Sequence, residues 1–517
     1  MKYEEVKLME TIVTSHGQST ANATPTRSNL IKPGRFGLLF PELPCWSSGD
    51  PDNEEVRTKD ENILVELAAA MHAAPDTGEG IIPAGFTYFG QFVDHDITFD
   101  PTPIGENMVD RMDLVNFRKP ALDLDCLYGS GPADQPFLYQ RSNAPKLTPR
   151  FLIGPVIKRP GENNQQAIAL DGALYDLPRV CDGLSEKTAV IGDKRNDENL
   201  IVAQLHRTML HFHNAVCIGF PDLSFDEVRK TVIHHYQRIL LNQFLPLIVG
   251  AQAVQDALQE LKFYKVGPGE LATNTFIPLE FSGAAYRFGH SLVRSTYHFN
   301  VEFQNDRFER AFQFTGNGGF FGLPRYPSNW LLDWRRFFEI VDAQSLQNPK
   351  PKSVPQMAMP VDASLSNELM IGPQRTPLAE LNLKRGRFHY KLPSGQELAR
   401  RMEIDLLTEM ELTTGVGGNV ITKFNLGNNT PLWFYLLKEA EIRGEGKHLG
   451  PLGATIVAEV FVGLLKNDPE SVLCSSTPQI LPSEIPDKFE ISDLFNFIES
   501  FKGQGNIPAV GVINPLG

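Results

Sequence analysis

Basic charge, paired cysteines, long apolar runs and repeats are all scarce in this sequence. Its 517 residues carry 48 basic and 62 acidic side chains, a formal charge of −14. That balance argues against a nucleic-acid surface or general attachment to anionic lipid. The five cysteines (Cys45, Cys126, Cys181, Cys217, Cys474) are odd in number, scattered and without a CxxC spacing. They exclude a disulfide framework and fit a reducing compartment. No stretch reaches the ~18 apolar residues of a membrane span; the best run, Ala454 to Leu465, is broken by Glu459. The start, MKYEEVKLMETIVTSHGQ, has neither the basic beginning nor the apolar run of a secretory signal. The expectation is a cytoplasmic protein, or one exported by a non-classical route. No internal repeat and no flexible linker divides the chain. At 42% hydrophobic residues, it has ample material for a core.

The hydrophobic period is helical over most of the length. Helices are expected from near Ile63 (ILVELAAAMHAA), over Phe89–Ile97, Asn199–Val216, Phe225–Val249, Phe281–Arg294, Trp330–Ile340, Pro431–Arg443 and Leu452–Leu465. Alternating patterns are few, and Gln166–Leu170 and Arg387–Leu392 are the best strand candidates. Long Pro/Gly/Asn stretches at 161–166, 267–274, 348–377 and 415–431 read as loops that wrap a large site. The reading is a mainly α, single large helical domain with long loops and very little β. Residues 1–80 form an N-terminal arm and extended segment packed on the core, and 81–517 form the body.

Four segments carry chemistry. In Gly90-Gln91-Phe92-Val93-Asp94-His95-Asp96, a helix puts Gln91, Asp94 and His95 on one face and turns Asp96 away. Alone, such a cluster is more often a helix end with satisfied polar groups than a site. In Gly192-Asp193-Lys194-Arg195-Asn196-Asp197-Glu198, Arg195 and Glu198 are i, i+3 neighbours, and Asp193, Asn196 or Asp197 could cap the next helix. In Ala285-Tyr286-Arg287-Phe288-Gly289-His290, Gly289 leaves room beside the imidazole for a flat group. Leu381-Asn382-Leu383-Lys384-Arg385-Gly386-Arg387 sets an amide among cations. The histidines at 206, 211, 213, 234 and 235 lack acids or cysteines at ligand spacing and read as packing.

In this order the four segments resemble the peroxidase–cyclooxygenase superfamily, the haem peroxidases of the myeloperoxidase, thyroid peroxidase and peroxinectin kind, in a bacterial-type form. The resemblance is sharp from Gly90 to Arg387 and looser through TPLWFYLLKEAEIRGEGKHLGPLGATIVAEV. It implies a haem-peroxidase fold with His95 as distal base, Arg195 as distal cation and Gln91 beside them. His290 matches the iron ligand, and Asn382 the amide that accepts its N–H. Asp94 and Glu198 match carboxylates that form esters with haem, Arg287 and Arg385 match residues beside the propionates, and Asp96 matches a calcium ligand. The cofactor implied is haem b or an ester-linked derivative, with calcium held by Asp96, Asp123 and Asp125. The roles make chemical sense: an iron-bound imidazole with a second acceptor, a base that shuttles a proton across peroxide, and a fixed cation for the breaking O–O bond.

Some positions depart from the family. Asn199 stands where mammalian myeloperoxidase has a sulfonium-forming methionine, which excludes that link. Lys119 replaces a threonine calcium ligand, Asp125 replaces a serine, and Arg387-Phe388-His389-Tyr390 replaces a more acidic segment. The implied partners are hydrogen peroxide and small anionic or phenolic donors: halides, thiocyanate or phenols. The oligomeric state is open. Two alternatives are a haem-dependent fatty-acid dioxygenase and a non-catalytic haem-binding or adhesive protein. The dioxygenase is disfavoured because Arg287, not tyrosine, lies three residues before His290; Tyr286 is four before, on a different heading.

Overall fold

Asn53 starts the first helix by accepting hydrogen bonds from the N–H groups of Glu55 and Val56, so α1 runs Glu54–His72, nine residues ahead of the apolar period. The computed structural model describes residues 34–74, 78–100, 114–140, 148–180, 187–265, 275–316, 318–343, 348, 350–372, 374–475 and 481–517. Residues 1–33 of the expected N-terminal arm, the loop at 267–274 and Cys181 lie outside them. The fold is mainly helical, as expected, with α2 at Gly85–Ile97, α3 at Leu200–Gly219 and α4 at Phe225–Ile239. In the C-terminal half come α5 (Leu378–Lys384), α6 (Leu432–Arg443), α7 (Pro451–Asn467) and α8 (Ile491–Glu499).

Every residue of α3 from Leu200 to Cys217 is buried. A helix covered on all sides must be central, and α2, α4 and α8 pack against it. The β content is small. One three-stranded sheet has β1 (Gly34–Gly37) between β2 (Val115–Asn116), antiparallel, and β3 (Ile277–Pro278), parallel. Glu459, the charge that breaks the apolar run of α7, is buried and accepts backbone N–H groups of Lys262, Phe263 and Tyr264. No helix among the described residues is long and apolar enough to cross a membrane.

Several expected elements differ. Gln166–Leu170 is not a strand but part of a short helix, Gln165–Ala169, capped by Asn164. Arg387–Leu392 is not a strand either: α5 runs straight into a wider helical turn at Arg385–His389. Short apolar alternations do not separate strand from helix when a cap or a preceding helix decides. Phe225–Val249 is helical throughout, but it widens into a π turn at Leu240–Phe244 before Pro246, which has no N–H for the regular ladder. Trp330–Ile340 is no α-helix; one short 3-10 turn, Ser328–Trp330, ends at its first residue and another, Trp334–Arg336, lies within it. Phe281–Arg294 breaks into Leu279–Gly283 and a 3-10 segment, Ala285–His290.

Candidate functional site

Close approach of α2 to the Phe337–Phe338 segment fixes one wall of the site. A Cβ on Gly85 would lie 2.5 Å from the Phe338 ring, so the helix start can press there only with glycine. From that anchor α2 carries Gln91 and Asp94 into the lining of a cavity of about 430 Å³. Glu198 and Asn199, at the entry to α3, complete this wall, and Arg287, Gly289 and His290 form the opposite one. A Cβ at Gly289 would meet nothing within 4 Å, which agrees with the expected space beside the imidazole. Phe308, Phe312, Leu369, Met370 and Ile371 add mostly apolar lining to the same cavity, together with the exposed Arg375.

His95 and Arg195 are not among the lining residues. His95 is fully buried, and its Nδ1 stands 2.8 Å from Oδ1 of Asn196. Burial, then the nearby Arg195 charge, push the His95 imidazole down to about 3, so it is neutral. Arg195 does not pair with Glu198, its expected i, i+3 neighbour. It donates Nη2 to Asp193 at 2.7 Å and to the carbonyl of His95 at 3.0 Å, and it lies over the Phe99 ring. Glu198 instead accepts from the Gln91 amide, while its Oε2 is buried without a partner. Burial raises the Glu198 carboxyl to about 8 and also raises Asp94.

Asp193, one of three candidate caps for the next helix, caps the short turn Lys194–Asp197 instead, whereas Asn199 is the N-cap of α3. The Asp193 carboxylate also joins two cations: Arg195 on one side and Arg118 on the other. Burial opposes its ionisation, but the two guanidinium groups outweigh that and hold its carboxyl well below the usual range. Arg118 in turn donates to Asp125 at 3.1 Å. Gly192 permits this ladder, because a Cβ there would lie 2.5 Å from the Cys126 carbonyl.

The ladder ends at a cluster in which oxygens of Asp96, Asp123 and Asp125 lie within 4.8 Å of one another. As expected, Asp96 faces away from the cavity; it accepts the N–H of Leu124. Asp96 Oδ1 and Asp125 Oδ2 are buried and unpartnered, while Lys119 binds Asp123 at 2.8 Å. Burial, then the charges of Asp125 and Asp123, raise the Asp96 carboxyl far above its usual value.

On the opposite wall His290 Nδ1 lies 2.7 Å from the Asn382 amide. The contact is the expected one, but the polarity differs: Asn382 presents its NH₂ to the ring because its oxygen accepts from Arg287 at 3.2 Å. Burial, then Arg287, push the His290 ring down to about 3. Arg385 is buried close by, outside the cavity lining, and its charge lowers the pKa of Arg287 after burial does. Tyr286, on a different heading from the residue three before His290, nonetheless lines the same cavity and donates to the Gly90 carbonyl at 3.1 Å. Sequence reasoning missed Asn196 as the partner of His95 and His206 as a partner of Asn196, 3.0 Å away. An amide next to Arg195, read against the helix position of His206, was the available signal.

The profile of the animal haem peroxidase family ("Animal haem peroxidase") matches residues 115–464, about two thirds of the chain. Helix α2 lies just outside that stretch. A peroxidase-like protein of Margaritifera margaritifera is 26% identical over 258 residues, covering 41% of this chain and 32% of that protein. The chain spans about a third or less of the length of the curated relatives it first matches. Among solved structures, peroxidase A from Dictyostelium discoideum superposes with a TM-score of 0.53 at 17% identity, covering 93% of this chain and 94% of that one. The fatty acid alpha-dioxygenase of Oryza sativa gives 0.52 at 12% identity, over 89% and 79% of the two chains. At these identities the structural likeness speaks to the fold.

Proposed function

The chain belongs to the animal haem peroxidase family, and on that premise we propose that it reduces hydrogen peroxide at this cavity and oxidises small donors such as halides, thiocyanate or phenols. The observation that carries the reading is the cavity itself, with Gln91, Asp94 and Glu198 on one wall and Arg287, Gly289 and His290 on the other. Its residues suit a haem. The open space at Gly289 admits a flat ring, and the unpartnered Glu198 oxygen is a buried carboxyl in want of a partner.

In this reading His290 ligates the iron, Arg287 and Arg385 hold the propionates, and Asp94 and Glu198 stand where ester bonds form. Haem, when bound, supplies the oxidising chemistry. The protein supplies the proton traffic and the field. His95 is neutral at working pH and takes a peroxide proton at Nε2, the nitrogen that Asn196 does not hold, then returns it to the leaving oxygen. Arg195, fixed by Asp193, provides a cation for the developing charge. Asn382 orients the His290 ring, and a carboxylate drawing Arg287 away frees the amide oxygen to accept from Nδ1–H. Calcium suits Asp96, Asp123 and Asp125: carboxylate oxygens are hard ligands, and Asp96 Oδ1 and Asp125 Oδ2 are buried without a partner.

Purified protein supplied with hemin tests the reading: it should give a Soret band and oxidise iodide, bromide or a phenol only with peroxide. A colourless, inert preparation overturns it. His95→Ala should keep the haem and slow peroxide cleavage by about 10²–10⁴-fold; an unchanged rate favours the non-catalytic alternative. A fatty-acid dioxygenase is a second reading, favoured by Tyr286 in the wall and by the apolar lining. Oxygen uptake with linoleate, without added peroxide, would select it.

A further inference from the structure

Asn196 sits between two imidazoles that the sequence places 206 − 95 = 111 residues apart. His95, Asn196 and His206 are each 0% exposed. The amide oxygen faces Nδ1 of His95 at 2.8 Å, and the amide nitrogen faces Nδ1 of His206 at 3.0 Å. From these contacts we propose that Asn196, its amide shared with His206, is a positioning residue that holds His95 in the tautomer with its lone pair at Nε2. The proposal rests on the peroxidase reading for its consequence, though not for its geometry.

The donor and acceptor count allows two self-consistent states. An oxygen at His95 Nδ1 requires a proton there, which leaves Nε2 as the acceptor. The NH₂ at His206 then meets a lone pair on Nδ1, so the His206 proton is on Nε2. Turning the amide over reverses both rings together: His95 would carry its proton on Nε2 and could only donate. Burial pushes the His206 ring down to about 3, so it is neutral and cannot donate from both nitrogens. Its ring is held edge-on by Phe92, 6.0 Å between centroids, on the same helix as His95. The amide therefore locks the two rings to each other: the tautomer of one dictates the opposite tautomer of the other.

The choice of an amide has a chemical consequence. A carboxylate at this place would stabilise the imidazolium and retain the proton. A neutral acceptor orients the ring without holding the charge, so a proton taken at Nε2 is released again. The turn Lys194–Asp197 thus carries the distal cation and the residue that aims the base side by side.

The test uses the full chain labelled with ¹⁵N-histidine, before and after haem loading. Long-range ¹H–¹⁵N spectra of the haem-free chain, assigned with His95→Gln and His206→Gln, should show His95 protonated on Nδ1 and His206 on Nε2. His95 protonated on Nε2, or both rings in the same tautomer, overturns the proposal. Asn196→Asp keeps the acceptor but loses the donor, so His95 should stay as it is while His206 switches to Nδ1–H. Asn196→Leu should leave His95 as a tautomer mixture and, in the haem-loaded enzyme, slow peroxide cleavage roughly 100-fold, while Asn196→Asp should keep the tautomer yet cleave peroxide more slowly than wild type, because the carboxylate retains the proton. A wild-type rate in Asn196→Leu overturns the proposal. If Asn196→Leu does not fold, the wild-type and Asn196→Asp spectra still decide. Absence of any peroxide reaction in the wild type would count against the peroxidase reading and leave the tautomer result standing.

Discussion

Around His95 the charges are answered within the chain, while around His290 they are not answered in the same way. Behind His95 a ladder of alternating sign runs from Asp125 through Arg118 and Asp193 to Arg195, each step a direct ion pair. Beside His290, Arg287 reaches neutral acceptors, the Ser282 carbonyl and the Asn382 amide, and its pKa is lowered by burial and by Arg385. A wall balanced by its own side chains is set before any ligand arrives. A half-buried guanidinium on neutral acceptors, as at Arg287, is set up for an anionic group to join it.

Breaking the ladder should produce the largest effect. Asp193→Asn leaves Arg118 and Arg195 buried with one counter-charge removed, and loss of one partner from a buried pair costs about 3–5 kcal/mol. Urea unfolding of the haem-free protein should show that loss. A change under about 1 kcal/mol would mean that the ladder does not organise this wall. The matching change on the other wall is Arg287→Leu. Because that guanidinium hydrogen-bonds to neutral groups rather than to a carboxylate, its stability should stay within about 1 kcal/mol of wild type, while hemin titration should show weaker retention. A large loss of stability there would erase the contrast between the two walls.

That contrast is only partly visible in the sequence. The helical period locates α2, α3, α6 and α7 because their apolar stripes are long, and the glycine before His290 marks the cavity. The strand assignments at Gln166–Leu170 and Arg387–Leu392 fail because five or six residues of alternation weigh less than an Asn164 cap or a helix already running. Helix geometry alone places Gln91 and Asp94 on one face. The i, i+3 spacing of Arg195 and Glu198 yields no ion pair for a physical reason: the buried Asp193 carboxylate, already held by Arg118, takes the guanidinium through both Nε and Nη2. Long-range partners such as Arg118 with Asp193 have no local signature at all.

Glu198 is the exception on the His95 side, since its buried carboxyl has no direct ion pair among the described residues and burial outweighs the nearby Arg195 charge, and it gives a test through pH. Its folded pKa of about 8 lies above the usual 4.5, so the folded protein binds the proton more tightly than the unfolded chain. The sign follows: this contribution is fully present below pH 4.5 and is lost as pH rises through 8. Haem-free wild type should lose on the order of a few kcal/mol relative to Glu198→Gln across that interval. Parallel pH–stability curves for the two proteins would show that the carboxyl is already paired. Covalent attachment at this residue would remove its titration, so peroxide-treated haem protein should lose the difference as well.

The smallest effect belongs at the far end of the ladder, where Lys119 reaches Asp123 at 2.8 Å from a position partly open to solvent. An exposed pair of this kind is worth about 0.2–1 kcal/mol. The ammonium occupies an oxygen that a divalent cation would need, so the two compete for Asp123. Lys119→Ala should therefore tighten calcium binding by about 2–5-fold, measured by calorimetry on protein stripped with a chelator. The gain should be larger at low ionic strength, because the lysine that competes is also the group most exposed to screening. Arg118, buried against Asp125 and Asp193, cannot be displaced as cheaply, and its removal should weaken the ladder rather than strengthen the ion. Calcium affinity unchanged by Lys119→Ala would mean that Asp123 does not ligate the ion, leaving Asp96 and Asp125 too few to hold it.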